Sequence, residues 1–564
     1  MRIAISAVVG GLVCNSWLLA ALIAAAPSAA FAQPAGEKKP DGSSVLTPGK
    51  TPPPPPTPGT APNAQPKTPA GPPQSFNDET GMAWKPGGGG ESNAGWHGMF
   101  YIRDNDENFR ISPNLLLQLD FNGFAGGAVN GKNVSVKDGA GLPPRFFLRR
   151  LRFGLSGDFL KRWSFTGQVD IGNSTDNADG GAEIFAAPPG VEPTASTARF
   201  RPVQGAATEA NLADAWINYS LCPCLNFQFG QFRPPLSMEN RTSDWQLSFM
   251  DRSLPIRAFV VPGARETGLM IWGDVLEKVF TYEVAVVGGD GQNRPEVDTQ
   301  ADFAARVLTR PLGGVKLLKD AHIGVSARHG ERDPEGVGYN YAPITSSFGY
   351  VLYNPSYTDS LKRKMKVIPS GGQNLIGGEL RVPIGPVDIR GEAYYVANHT
   401  REAVDGFQFT NTERLGTLKG VGWYGQATWW VAGDSYISGE PGYPRPSKLN
   451  THKKEEIKRG AELTLLGAGV HGDYDGNARG GKDDDATPGS AKNPATNFTI
   501  YQFSAAASYW HSKFIRMTFN YSMYLTPGSG STDNLASVPA NVFGERDPSD
   551  HLLHEFGLRL QAWF

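Results

Sequence analysis

After Trp96 the chain alternates apolar and polar residues with a period of two, the spacing that sends successive side chains to opposite faces of a strand. Leu115, Leu117, Leu119 and Phe121 alternate with Leu116, Gln118, Asp120 and Asn122, and Trp163, Phe165, Val169 and Ile171 with Ser164, Thr166, Gln168 and Asp170. The same pattern sets Ala321, Ile323, Val325 and Ala327 against His322, Gly324, Ser326 and Arg328. Near the end it sets Ile515, Met517, Phe519, Tyr521 and Met523 against Arg516, Thr518, Asn520 and Ser522. The pattern predicts about sixteen strands, at 114–124, 145–156, 162–172, 210–221, 224–233, 265–274, 278–288, 301–310, 320–329, 373–382, 386–397, 420–432, 458–468, 499–510, 513–525 and 553–564.

The connections give these strands an architecture. They run to about twenty residues after the first strand, five after the second, more than thirty after the third, two after the fourth, about thirty after the fifth and three after the sixth. Short turns on one side and long loops on the other mark an outer-membrane barrel, and in lipid the backbone is satisfied only if the sheet closes. Strands of roughly ten residues, tilted by about 45°, cross a bilayer, and roughly sixteen to eighteen of them enclose an aqueous channel. The expected fold is therefore all-β, a transmembrane antiparallel β-barrel of about 16 strands. One connection departs from the rule. Residues 432–456 should form a short turn but are long and carry Pro441, Pro444 and Pro446, so either the turn is elaborated or a hairpin there is missing from the count.

The last strand sets Phe556, Leu558, Leu560, Ala562 and Phe564 on one face and Gly557, Arg559 and Gln561 on the other. Trp163, Trp216, Trp423, Trp429, Trp510 and Trp563 lie near strand ends, where they would suit the aromatic girdles of a membrane barrel.

Residues 230–273 hold the most informative connection. The strand ending at Gln231-Phe232-Arg233 must stop at Pro234-Pro235, which lack ladder donors. The thirty or so residues that follow contain Trp245, Leu247, Phe249, Met250, Leu254, Ile256, Phe259 and Val260, too apolar a set to float in water. Arg233, Arg241, Arg252, Arg257 and Arg265 are interleaved with them. A loop folded into the barrel lumen as a constriction would use both kinds of residue.

The run GQFRPPLSMENRTSDWQLSFMDRSLP at 230–255 resembles the segment after the fifth strand in the phosphate-selective porin O/P family, which carries GQF-x-x-P-[FL]-S-x-E followed by [FM]-x-[DE]-R-S-L-P. The likeness extends to the stretch from Arg149 through Arg150, Leu151, Arg152 and Phe153 to Gly157, to Trp163-Ser164-Phe165 and to the closing Phe564, and covers roughly residues 115–564. The resemblance implies a passive outer-membrane pore, homotrimeric, lying among outer-membrane lipid and lipopolysaccharide, with small anions or phosphate as permeant solutes. A terminal amphipathic strand ending in Phe resembles the signal that bacterial barrel-assembly machinery prefers, which favours a Gram-negative-type outer membrane.

The N-terminus adds export and a linker. Met1-Arg2, an apolar Ala-rich stretch and Ala30-Phe31-Ala32 describe a cleaved Sec signal peptide over residues 1–32. Residues 33–95 are rich in Pro and Gly and almost free of aliphatic side chains, so they would form a disordered linker ahead of a barrel domain at 96–564. That arm is either a tether toward peptidoglycan or an unselected spacer. Beyond the signal no run approaches the roughly 20 apolar residues of a membrane helix. Cys222 and Cys224, separated by Pro223 alone, are expected to be small residues in a tight turn, since a mutual bridge there would be strained.

Little in the chain suggests catalysis, and no cofactor or metal is expected. His551 and His554, the lone His471 near Asp473 and Asp475, and the run Asp483-Asp484-Asp485 all fall in expected extracellular loops. The acidic loop would suit Ca²⁺ between barrels or lipopolysaccharides but lacks EF-hand spacing. A net charge of −2 gives no nucleic-acid footprint. The informative residues are arginines with inward parity: Arg150, Arg152, Arg306, Arg328, Arg381, Arg390, Arg516 and Arg559. A charge on the lipid face would cost about 2–4 kcal/mol at the midplane, and guanidinium forks along a lumen wall make successive weak anion sites. The expected pore and anion-binding set is Arg150, Arg152, Arg241, Arg252, Arg257, Arg306, Arg328 and Arg390. Asp120, Asp170, Asp214, Glu283, Glu379 and Glu392 also point inward and would neutralise part of that field. The leading expectation is a general or anion-preferring porin. The alternative is a structural or adhesive outer-membrane protein tethered through its Pro-rich arm, and an outer-membrane hydrolase fails for want of a Ser-His pair on one strand face.

Overall fold

The computed structural model of the protein describes residues 94–96, 100–104, 108–125, 144–172, 211–260, 264–294, 296, 298–315, 317–332, 341, 343–349, 351–353, 357–358, 364–404, 414–433, 459–481, 495–526 and 552–563. The expected signal peptide, nearly all of the expected linker, most of 432–456, the Asp483-Asp484-Asp485 run, His551 and Phe564 lie outside the described residues.

The strands in chain order are β1 (Ala94–Trp96), β2 (Phe100–Arg103), β3 (Phe109–Ala125), β4 (Arg145–Phe159), β5 (Trp163–Asp170), β6 (Asn211–Cys222), β7 (Leu225–Phe232), β8 (Glu266–Val275), β9 (Phe280–Val287), β10 (Asp302–Thr309), β11 (His322–Gly330), β12 (Ile344–Thr345), β13 (Val351–Tyr353), β14 (Tyr357–Thr358), β15 (Lys364–Ile384), β16 (Val387–Val404), β17 (Arg414–Ala432), β18 (Gly460–Gly481), β19 (Ala495–Trp510), β20 (Ile515–Leu525) and β21 (Leu552–Trp563). Sixteen of them, β3 to β11 and β15 to β21, form a closed antiparallel barrel. The seam is β21 against β3, with Arg559 opposite Asp120 and Leu560 opposite Leu119. Short β1, β2 and β14 extend the same sheet, while β12 and β13 pair only with each other.

The alternation is realised as two faces meeting two environments. Leu119, Phe153, Val325 and Leu465 point outward and stay exposed, Leu465 at 65%, while Asp120, Arg152 and Arg559 point inward and are buried. An apolar outer belt wants hydrocarbon, and the charges sit where polar partners exist. All eight wall arginines expected inside lie on the lumen side, Arg328 included.

Several expectations are corrected. Cys222 and Cys224 form a disulfide at the β6–β7 turn; their Cα atoms are 5.2 Å apart, within the reach of the bond, because the turn folds the chain back on itself. No barrel strand stands between β17 and β18, which pair directly with Trp430 opposite Glu462, and most of the 432–456 connection itself lies outside the described residues. Strand β18 runs on to Gly481, so His471, Asp473 and Asp475 lie in a strand and not in a loop, and His471 Nδ1 bonds the Thr499 hydroxyl at 2.8 Å. His554 likewise belongs to β21, bonded to the Tyr521 hydroxyl. Of the tryptophans expected in girdles, Trp423 and Trp429 face outward, but Trp216, Trp510 and Trp563 are buried in the interior because they share parity with the lumen-facing residues of their strands.

Two segments leave the wall and fold inward. One is the 233–265 connection, with short helices α1 (Met238–Arg241) and α2 (Leu254–Phe259). The other is the β12–β13 hairpin in the connection between β11 and β15.

Candidate functional site

The loop from Arg233 to Arg265 departs from the wall at a fixed point. Gly230 has φ +119, and a Cβ there would run into the Ala215 carbonyl oxygen, so the last turn of β7 tolerates only glycine. Beyond Pro235, Ser237 caps α1 by accepting from the Asn240 amide at 3.0 Å. The wall residue Glu392 accepts the Met238 and Glu239 amides at 3.0 and 2.8 Å. The two halves of the 230–255 motif then close on one another: Glu239 accepts the Ser253 amide at 3.1 Å and the Ser253 hydroxyl. Burial pushes the Glu239 carboxyl up, with the Ser253 bonds opposing.

The apolar residues of the loop are buried as their composition demands. Trp245, Leu247, Phe249, Met250, Leu254, Ile256 and Val260 are all under 7% exposed. Helix α2 lies against β16, β17 and β18, over inward-facing Gly420 and Gly422, whose Cβ positions would fall 2.6 Å from Phe259 and 2.8 Å from Pro255. The glycines make the seat for the helix.

The charged residues of the loop converge on Asp244. Its Oδ2 takes Arg152 Nη1 and Arg233 Nη2, both at 3.0 Å, with Arg150 Nε at 3.6 Å, and its Oδ1 takes Arg252 Nη2 at 2.9 Å. Arg265 stands 4.0 Å away and is bonded to Asp214 at 2.7 Å. Arg152 also bonds Asp170 at 3.0 Å, and Arg149 bonds Asp251 at 3.3 Å. Burial works to raise the Asp244 pKa, and the charges of Arg150, Arg233, Arg252 and Arg152 outweigh it, holding the carboxyl well below the usual range. Burial lowers Arg233 to about 9, with Asp244 opposing and Arg265 and Arg252 adding to the fall. Among the described residues, six arginines thus face four aspartates in one buried cluster between β4 and the loop.

Of the eight arginines expected at the pore, the structure brings Arg150, Arg152 and Arg252 together at this hub. The other five are spread around the lumen. Arg241 crosses to Glu283 of β9 at 3.3 Å. Arg257 donates to the Arg252 carbonyl at 2.9 Å, to the Tyr524 hydroxyl at 3.1 Å and to the Thr345 carbonyl of the hairpin. Arg306 lies between Glu379 at 2.7 Å and Glu283 at 3.5 Å. Arg328 pairs with Asp302, and Arg390 reaches Ser248 Oγ at 3.3 Å and Asp388 at 3.8 Å.

Sequence parity missed Arg149, which should face lipid. A β-bulge on β4 shifts the register between Gln118 and Leu119, so that Arg150 sits opposite Gln118 and Leu148 opposite Leu119; the extra residue, Arg149, turns inward as well. The hairpin was also missed, although Ile344, Phe348 and Leu352 give its segment the same unexpected apolarity as the constriction loop. Tyr353 stacks on Phe498 of β19 with centroids 4.0 Å apart, and Ser347 N donates to the Tyr524 hydroxyl at 3.0 Å. The hairpin therefore reaches from the β11–β15 side of the lumen to β19 and β20. Among the described residues no group of three or more His, Cys, Asp or Glu could hold a metal.

Solved structures similar to this chain include a loop L8 deletion mutant of OmpT, an outer-membrane protein of Vibrio cholerae (TM-score 0.42, 8% identity, 81% of this chain and 100% of that one). Another is an anion-selective porin from Comamonas acidovorans (TM-score 0.41, 10% identity, 81% and 100%). A third is the outer-membrane channel DcaP of Acinetobacter baumannii (TM-score 0.40, 10% identity, 82% and 99%). No curated protein matches the chain. The family model for phosphate-selective porin O and P matches residues 114–465, more than half of the chain. With its closed sixteen-strand barrel, the chain belongs to the phosphate-selective porin O and P family of outer-membrane channels.

Proposed function

We propose that the protein is a passive diffusion channel for small hydrophilic solutes that prefers anions, phosphate or polyphosphate among them. The observation that carries this reading is the convergence of arginines from the wall and the inward loop where the loop meets β4, more of them than aspartates among the described residues. In this reading the loop narrows the lumen at that level, and a permeating ion feels the field of the buried charge behind the lumen surface. At an effective dielectric near 20, two unit charges about 4 Å apart interact by about 4 kcal/mol, so a partly compensated cluster still biases permeation by an order of magnitude. In this reading Arg150, Arg152 and Arg252 act at the narrowest level. Arg241, Arg257, Arg306, Arg328 and Arg390 hold the loop and walls in place around it.

The test is the reversal potential of the purified channel in a salt gradient, for the wild type and for Arg150→Ala with Arg152→Ala. Anion selectivity is expected in the wild type, reduced in the double variant and fading as salt rises and the Debye length falls to roughly 3 Å at 1 M. A cation-selective wild type, or an unchanged double variant, would overturn the anion preference.

The same reading includes export by cleavage near Gln33 and assembly of three copies in the membrane. N-terminal sequencing of membrane-extracted protein that still begins at Met1 would remove the first, and a monomer by mass in mild detergent would remove the second.

A further inference from the structure

The Cys222–Cys224 bridge sits at the β6–β7 turn, one of the short connections on the side opposite the long loops, which is the periplasmic side of an outer-membrane barrel. Pro223 alone stands between its ends, so the bond removes little freedom from the unfolded chain and adds correspondingly little to stability. The turn is also held without it. Asp274 N donates to the Pro223 carbonyl at 2.9 Å, the Tyr282 hydroxyl to the Cys224 carbonyl at 2.8 Å, and Asn226 Nδ2 to the Trp272 carbonyl at 3.1 Å. Gly273 of β8 packs so closely on the turn that a Cβ there would fall 2.0 Å from the Cys224 carbonyl oxygen. Pro223 and Cys224 are exposed, and Cys222 is half-buried. A bond that adds little to the fold, lies at the surface and faces an oxidising compartment fits an exchangeable disulfide better than a buried staple.

We propose that Cys222 and Cys224 form a thiol–disulfide exchange site on the periplasmic rim, and that its partner is a protein dithiol of the Cys-x-x-Cys class. A thiolate of the partner attacks Cys224 Sγ, the sulfur of the more exposed residue, and a mixed disulfide forms as the Cys222–Cys224 bond breaks. The electron pair leaves on Cys222 Sγ, which takes up a proton. The partner's second thiolate then attacks its own sulfur in the mixed disulfide, closing the partner's disulfide and releasing Cys224 as a thiolate that is protonated in turn. Two electrons and two protons pass from the dithiol to the barrel. The class of partner follows from the turn. Its own hydrogen bonds keep the two Cα atoms near their 5.2 Å spacing after the bond opens, so Cys222 stays poised to attack any adduct on Cys224. A monothiol adduct is thereby expelled and the bridge recloses, whereas a dithiol resolves the adduct with its own second sulfur. The barrel domain at 96–564 holds no third cysteine to divert the pair. The site is independent of which solute the channel passes.

The experiment takes the folded full-length protein in detergent micelles, without denaturant, and exposes it to reduced thioredoxin or to reduced glutathione. Free thiols are then alkylated with a maleimide and mapped by mass. With thioredoxin, both cysteines should be labelled while heat-modifiable migration stays unchanged. The rate should exceed that with glutathione at equal thiol concentration by about tenfold or more, since Cys222 expels the first monothiol before a second arrives. Labels that appear only after heat denaturation overturn the proposal. So does a barrel that loses its heat-modifiable migration once reduced, because the bond is then a staple. Equal rates with the two reductants overturn the dithiol partner. Cys222→Ser separates access from resolution: its free Cys224 should take glutathione from glutathione disulfide and keep it as a stable mixed disulfide. A folded Cys222→Ser that forms no such adduct shows Cys224 closed to exchange and overturns the site.

Discussion

Trp245 of the inward loop lies on Trp563 of the closing strand, ring centroids 4.0 Å apart and planes 20° from parallel. Beside this pair the loop backbone, which has no ladder of its own, finds its donors on the last two strands. Gln561 Nε2 donates to the Trp245 carbonyl at 3.1 Å, Arg516 Nη1 to Leu247 at 2.8 Å and Arg559 Nη1 to Met250 at 2.6 Å. Docking of the loop therefore requires β21 to be in place. Trp245→Ala should cost about 3–5 kcal/mol, the usual range for emptying a buried aromatic site. The check is the urea midpoint of refolded protein, and a midpoint equal to that of the wild type would dissociate the loop from barrel stability.

Gly557 of β21 faces inward beneath both inserted segments. A Cβ there would enter the Phe348 ring of the hairpin and stand 2.7 Å from Met250 Sδ of the loop. Gly557→Val is expected to destabilise by about 1–3 kcal/mol through overpacking and to push both segments away from the wall. Single-channel conductance of the inserted variant should fall below wild type, since both segments are displaced toward the middle of the lumen. An unchanged conductance would mean that neither segment limits flow at that level.

The expected pH response of the loop rests on two of its three carboxylates, Asp244 and Glu239. Asp244 has a folded pKa below its unfolded value of about 3.9, so its stabilisation is fully present above that pH and is lost as pH falls through the folded value. Glu239 has a folded pKa above its unfolded value of about 4.3, so it costs stability at neutral pH and that cost is relieved on acidification. Acidifying from neutral to roughly pH 4.5 should not loosen the loop. The difference in thermal midpoint between wild type and Asp244→Asn should stay constant down to about pH 4 and shrink below it; a difference that fades nearer neutrality would contradict the depressed value.

Arg306 is fully enclosed between Glu379 and Glu283. Removing it takes the central cation from two buried carboxylates, leaving Glu283 with Arg241 and Glu379 with His322, so Arg306→Ala should cost about 3 kcal/mol. Arg306→Lys keeps the charge but loses the fork that gives Nε and Nη2 to Glu379, and should fall between the two. Reversal potentials should move less for Arg306→Lys than for Arg150→Ala with Arg152→Ala. The opposite order would place the selective charge at β10 and not at β4.

The barrel was legible in the sequence because each strand meets two environments within two residues. That local rule writes the strands, their outward Leu119, Phe153 and Val325 and their inward Arg150, Arg152 and Arg306 directly into the alternation. The inward loop was legible for a related reason, since a segment carrying Trp245, Phe249, Leu254 and Ile256 has to be covered by something. What no spacing could state is which charge meets which. Arg559 finds Asp120 across 439 residues and Arg152 finds Asp244 across 92, because the partners are chosen by the path of the loop through the lumen and by where the ring closes. The turning of Arg149 inward depends on a bulge in the register of β3 and β4, and the burial of Trp510 and Trp563 depends on what fills the interior. Those are properties of the closed barrel, where residues far apart along the chain share one enclosed volume, and only the tertiary structure decides them.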